Sequence, residues 1–364
     1  MSLLKNSTVI ISGVVVANGL AYFFNIYTAR LLGPSTYGIL GSLLALFYIA
    51  SIIYGPILSV VVKQIALLNS KNKNIELPLF FRSIRREIIF ILLGISILVF
   101  ISAGFLSSYL RIQSLWPVII TGLMILISGM LQFNQSVLTA LKQFSVLSKS
   151  KVIDAFIRLA IAFTLLYFGV GLNGVLLSFA LSYLVVYFWT QKFIPKNFLI
   201  TNKESHSLDR TIIYTTAIKF FLAGLFSQIA INISSIYIQH YYSSTINGYW
   251  TAGMNLMRVS LLFTDAVNQV LYPELVGEKI RKNRDKLIKM SLFVILLITG
   301  LSAAICWIMP DFIINLIYGS RYLKASVFLK WQSLLMILIS LIQLFFTVYF
   351  SKTNNIENIK EMAQ

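Results

Sequence analysis

Six ionisable residues stand inside long apolar runs of this sequence: Asp154, Arg158, Lys219, Arg258, Asp265 and Lys330. A charge near the centre of a membrane-spanning helix costs about 2.5–3.5 kcal/mol, so such residues face a partner or a polar cavity. Four cations against two carboxylates leave this interior net positive, which suits an anionic ligand. Arginine suits phosphate in particular, because its planar fork pairs two oxygens at once. Thr251, Asn255, Arg258, Asp265 and Gln269 fall at helical intervals on one stripe of an otherwise apolar run. Asn18, Tyr22 and Asn25 make a lesser stripe near the N-terminus. Blander roles stand beside these. Asp154 and Arg158, four apart, can neutralise each other on one helix. Lys219 and Lys330 lie nearer helix ends, where a long side chain snorkels. Asp265 can be the counter-charge of Arg258 or sit at the membrane boundary, and Asn and Gln often hold helices together.

The elements that must carry these residues follow from composition. Of 364 residues, 58% are hydrophobic and 12% charged, against about 25% charged in soluble domains. About ten apolar stretches are long enough to cross a hydrocarbon core of ~30 Å as helices: 8–29, 37–62, 88–106, 116–138, 152–168, 175–189, 212–238, 249–272, 290–309 and 327–350. The fold class is therefore an all-α polytopic membrane protein. Of the 30 Lys and Arg residues, 22 fall in one set of alternate loops and only 4 in the other, which places the first set and both termini in the cytoplasm. The net charge of +18 is accounted for by this topology, and no nucleic-acid partner is expected. The lone cysteine, Cys306, excludes a disulfide framework, and the first apolar run is too long for a cleaved signal peptide. His206 and His240 have no acid or thiol cluster beside them. No phosphate loop, nucleophile elbow or dinucleotide motif stands in a fitting context, so neither a catalytic residue nor a cofactor or metal is expected.

A weak repeat organises the chain. "LLGPSTYGI" (31–39) aligns with "YYSSTINGY" (241–249) at an offset of 210, and "SSYL" (107–110) with "SRYL" (320–323) at 213. Shifted by 210, Asn18, Tyr22 and Asn25 land on Gln228, Asn232 and Ser235, so the first helix of each half carries a polar face at matching depth. An offset of six spans preserves orientation, so the repeat is parallel. It predicts an N-terminal lobe over 1–190, a cytoplasmic linker over 191–210, and a C-terminal lobe over 211–364. "ARLLGPSTYG" (29–38) is then an external turn, with Arg30 at the membrane boundary.

Three stretches carry a family resemblance. "ARLLGPSTYGILGSLLAL" (29–46), "LTALKQFSVLSKSKVIDAFIRLAIAFTLLYFGVGLNGVLLSF" (138–179) and "NGYWTAGMNLMRVSLLFTDAVNQVLYPEL" (247–275) resemble the polysaccharide flippases of the multidrug/oligosaccharidyl-lipid/polysaccharide superfamily. The resemblance implies a flippase, not an enzyme, that carries undecaprenyl-pyrophosphate-linked oligosaccharide across the cytoplasmic membrane by alternating access. Lipid-linked oligosaccharide, membrane lipids and polysaccharide-assembly proteins are its expected partners. Arg158, Lys219 and Arg258 are the expected anion-binding residues, and Asn18, Asn25, Gln228, Asn232, Asn255 and Asp265 the expected polar lining. Two departures stand out: Ser234 occupies a position where relatives carry a carboxylate, and the second lobe is two helices short of the usual twelve spans. The alternatives are a cation-coupled multidrug antiporter of the same fold and, further off, a membrane glycan polymerase or ligase, for which no sizeable outer loop is present.

Overall fold

The stretch Gly13–Ala66 has 54 residues, and a straight helix of that length would span about 80 Å, far beyond a hydrocarbon core of ~30 Å. One residue breaks it. Within helix α1 (Ser2–Ser70), Gly33 holds φ 71° and ψ 169°, a conformation essentially confined to glycine. Pro34 follows at once and opens the second leg, where its missing N–H is no loss. The tight turn expected over 29–38 is narrowed to one residue. Its residues are helical on both sides of Gly33, because a glycine stop followed by a proline start needs no intervening loop.

This computed structural model describes residues 2–70, 76–195, 198, 229, 231–277 and 281–362, and among them every regular element is helical. After α1 come α2 (Glu76–Ile101), α3 (Ala103–Tyr109), α4 (Trp116–Ala140), α5 (Phe144–Tyr167) and α6 (Gly171–Gln191). Then follow α7 (231–241), α8 (Ser244–Gly277), α9 (Arg281–Ile308), α10 (Pro310–Tyr318), a 3₁₀ turn (Ser320–Tyr322) and α11 (Ala325–Met362). Five helices among the described residues are long and apolar enough to cross a membrane, or six if α2 and α3 form one span. The single span expected over 88–106 is instead bent by 61° between α2 and α3. The bend recurs as a motif. A long apolar helix, a one-residue break at Ser102, a short helix, a turn and another long helix (α2–α4) reappear as α9, Met309, α10, the turn at 319–324 and α11.

Small residues set the packing. On α4, a Cβ at Gly122 or Gly129 would strike Phe100 or Leu92 of α2, so the absence of side chains lets the two helices close up. Ser96 seals the contact by donating to Gly122 O at 3.0 Å. On its other side, α4 meets α6, where buried Asn134 donates to Thr190 Oγ1 at 3.2 Å and Gln191 Oε1 at 3.1 Å. Large apolar side chains such as Phe90, Leu98, Phe105 and Ile308 are exposed, as lipid-facing positions require.

The chain divides into two compact units, Met1–Asn247 and Gly248–Gln364. The first reaches past the expected linker because α7 and the first turn of α8 are tied to the N-terminal helices. Asn247 donates to Gly38 O at 2.7 Å, Gln239 to Leu110 O at 2.8 Å, and His240 stacks on Tyr109 with ring centroids 3.8 Å apart. In the second unit, Thr264 of α8 donates to Ser340 of α11 at 3.1 Å, and Leu271, Leu275, Ile295 and Leu344 form an apolar cluster.

Candidate functional site: a polar cavity in the N-terminal unit

A cavity of about 360 Å³ opens among α1, α4, α5 and α6. The first leg of α1 contributes Asn18, and the second leg Tyr48 and Ser51. Helix α4 contributes Ser128, Gln132 and Gln135, α5 contributes Lys151, Asp154 and Arg158, and α6 contributes Tyr183. Each helix presents these residues by its 3.6-residue period: 128, 132 and 135 on α4, and 151, 154 and 158 on α5, share a face. A second cavity of about 260 Å³ shares Gln132, Gln135 and Lys151 with the first and runs on past Ser59, Val62, Thr139 and Leu147. Those residues border two basic stretches of the sequence, 63–87 and 142–151.

The wall is held by its own hydrogen bonds. Gln132 donates to the Tyr54 hydroxyl at 3.2 Å, and that hydroxyl lies 3.4 Å from Ser128 Oγ. Gln135 donates to Ser150 Oγ at 3.2 Å. Arg158 is the most tightly fixed group. Its Nη2 donates to Asp154 Oδ2 at 2.9 Å one turn back on α5. Its guanidinium lies 4.7 Å from the Phe179 ring centre and 5.5 Å from that of Phe24, and these two rings meet edge to face at 5.2 Å. Aromatic faces attract a cation, so the two rings hold Arg158 from one side and Asp154 from another. Two cations and one carboxylate leave the wall with one net positive charge. Amides, hydroxyls and a net cation together form a surface that can solvate an anion or a hydrated sugar. Among the described residues no cluster of three His, Cys, Asp or Glu could hold a metal.

Residues 28–327 match the family described as polysaccharide biosynthesis protein. The chain belongs to that family. A curated relative, the uncharacterized membrane protein MJ1375 of Methanocaldococcus jannaschii, is 26% identical over 185 residues, 51% of this chain and 43% of the relative. The chain thus spans less than half the length of that relative in the match. Among solved structures it is similar to an inward-facing multidrug resistance MATE family transporter of the MOP superfamily, with a TM-score of 0.73 and 11% identity over 93% of this chain and 82% of that one. It is also similar to the lipid II flippase MurJ in an inward closed conformation, at 0.71 and 16% over 94% and 75%. A MOP superfamily transporter from Pyrococcus furiosus, described as having reversed polarity of its binding pocket, matches at 0.60 and 12% over 96% and 83%. These likenesses establish the fold of this polysaccharide biosynthesis family member, a multi-pass helical membrane protein.

In this family member the structure brings Asn18 and Arg158 together on one cavity. Asn25 is half-buried and donates to Ala21 O of its own helix at 2.9 Å. Asn232 is buried on α7. Arg258 and Asn255 belong to the second unit, half-buried, with Arg258 Nη1 3.4 Å from Asn255 Oδ1. Thr251 on the same stripe is buried, whereas Asp265 is exposed. Lys219 and Gln228 lie outside the described residues. Lys330 sits 5.9 Å from the Trp307 ring centre. Lys151, which falls in a basic loop by sequence, was missed, and the other missed residues are neutral. Ser128, Gln132 and Gln135 make a stripe on α4 as regular as the one on α8, but it carries no charge and so drew no notice.

Proposed function

We propose that this protein is a flippase that moves undecaprenyl-pyrophosphate-linked oligosaccharide from the inner to the outer leaflet of the cytoplasmic membrane, for surface polysaccharide such as O-antigen, capsule or exopolysaccharide. The observation that carries the reading is the net-positive, amide-lined cavity holding Arg158, in a chain of the polysaccharide biosynthesis family. An anionic pyrophosphate and a hydrated glycan do not cross hydrocarbon unaided. A polar wall replaces their hydration while the lipid tail stays in the bilayer. Basic loops flank the residues of the second cavity in sequence, which supports a mouth on the cytoplasmic side, where such a substrate is assembled. The lobes are read as 1–190 and 211–364, joined by 191–210, with both termini cytoplasmic, and Lys219 and Arg258 are read as further anion contacts. Deletion of the gene is complemented with Arg158→Ala and Arg258→Ala variants, and lipid-linked glycan export is measured beside membrane insertion. Loss of export with normal insertion is expected. Normal export by both variants refutes the anion cavity.

A second reading, a cation-coupled multidrug antiporter, is favoured by one observation: the Asp154 carboxylate stands on the same cavity wall. Efflux of a cationic dye that requires Asp154 and is indifferent to Arg158 would favour it over the first.

A further inference from the structure

Asp154 occupies one of the Arg158 donors that a two-point contact with an anion would use. The two share one hydrogen bond, at 2.9 Å, between side chains that are 13% and 14% exposed. Among the described residues, Arg158 Nε and Asp154 Oδ1 are both buried and have no hydrogen-bond partner, so the pair joins through a single edge of each group. A phosphate can do more. Its oxygens engage two guanidinium N–H groups in parallel, and here Nη2 and Nε are the two on offer. Phe24 and Phe179 would keep the guanidinium in place during such an exchange.

We propose that entering pyrophosphate displaces Asp154 from Arg158, and that the released carboxylate takes up one proton from solvent, so that anion binding and protonation of Asp154 are a single linked event. This rests on the anion-binding reading of the cavity given above. The proton follows from the surroundings of the carboxylate. Around the pair, among the described residues, the titratable or charged groups are Lys151 on α5 itself, Tyr48 and Tyr54 on the second leg of α1, and Tyr183 on α6. Helix α4 faces the pair with amides, and the first leg of α1 with Asn18. Ser182 lies beside the carboxylate, but its hydroxyl donates to Phe179 O at 3.0 Å. A carboxylate left off water without its cation disfavours the charged form, and a proton restores neutrality. Lys151 is the one other cation on this wall; if it took over the carboxylate, no proton would be needed.

The test is calorimetric titration of the full-length protein in lipid nanodiscs, in buffers of different ionisation enthalpy. Inorganic pyrophosphate and farnesyl pyrophosphate are compared on wild type, Asp154→Asn and Arg158→Gln. Wild type is expected to take up about one proton more per bound ligand than Asp154→Asn. Asp154→Asn, with no carboxylate to displace, binds about tenfold more tightly, and Arg158→Gln about a hundredfold more weakly. Tighter binding of farnesyl pyrophosphate marks a lipid-borne group and equal binding a free one; linked proton uptake supports the exchange in both cases. Equal proton uptake by wild type and Asp154→Asn overturns the exchange and leaves the anion-binding reading standing. Failure of wild type and Asp154→Asn alike to bind overturns both. A second measurement does not depend on any variant folding. Wild-type affinity for sulfate, an anion that does not titrate near neutrality, is expected to fall by up to about tenfold per pH unit as pH rises, and an affinity flat in pH overturns the exchange.

Discussion

Arg158 shows how much one side chain's meaning depends on its neighbours. Two aromatic rings and a carboxylate fix it to a cavity wall, and its partner Asp154 was visible in the sequence as a residue four positions away. The rings were not, because Phe24 is 134 residues distant and nothing in the spacing pairs it with α5. Replacing Phe179 with Leu keeps the ion pair and removes one cation–π face, which is worth about 0.5–2 kcal/mol. Export is expected to fall further than the accompanying drop in thermal midpoint accounts for, read by complementation and by melting of the purified protein. Gln132 tests the polar wall itself. Gln132→Leu removes the 3.2 Å bond to Tyr54 and makes the cavity more apolar, so export is expected to drop further than folded yield. Equal losses would mark Gln132 as structural.

Helices in this protein are shaped by single residues without side chains. Gly33 turns one overlong helix into two legs at φ 71°, ψ 169°. Gly33→Ala forces a side chain into that region and is expected to destabilise the protein by about 1–3 kcal/mol, seen as a lower midpoint of thermal unfolding in detergent. Gly129 acts through space instead, since a Cβ there meets Leu92. Gly129→Val is expected to lower stability by about 1–3 kcal/mol. Adding Leu92→Ala recovers part of that loss, because the two positions are in contact and their effects do not add. The sequence marked a turn over 29–38, and the structure narrows it to Gly33. The sequence said nothing of Gly129, whose role appears only when α2 lies against α4.

For the molecule as a whole, the loop charges make a topology prediction. Single cysteines placed at Lys142 and Lys192 in a Cys306→Ser background are expected to be shielded from an impermeant maleimide in intact cells, and one at exposed Tyr242 to be labelled. The reverse pattern would invert the orientation. On the Tyr242 side, buried Gln239 of α7 donates to Leu110 O and buried Asn247 of α8 to Gly38 O. The weak repeat had aligned Gly38 with Gly248 by sequence, and the structure places Asn247, its neighbour, in hydrogen-bond contact with Gly38 itself. Asn247→Leu leaves Gly38 O and Gln239 Oε1 without this donor, a loss of about 1–3 kcal/mol per buried group, measurable as a lower unfolding midpoint.

Membrane residence, helical class, charge asymmetry and family were legible along the chain, because each depends on local sums: apolar length against bilayer thickness, basic residues per loop, and motifs of contiguous residues. Which polar side chains share a cavity was not. Asn18, Tyr48, Gln132, Arg158 and Tyr183 come from five separate helical segments, and neutral polar residues on an apolar helix look the same whether they join helices or face an opening. Helix packing settles that by bringing five faces together, and it adds the rings of Phe24 and Phe179 to an Asp154–Arg158 pair that the spacing on one helix already offered.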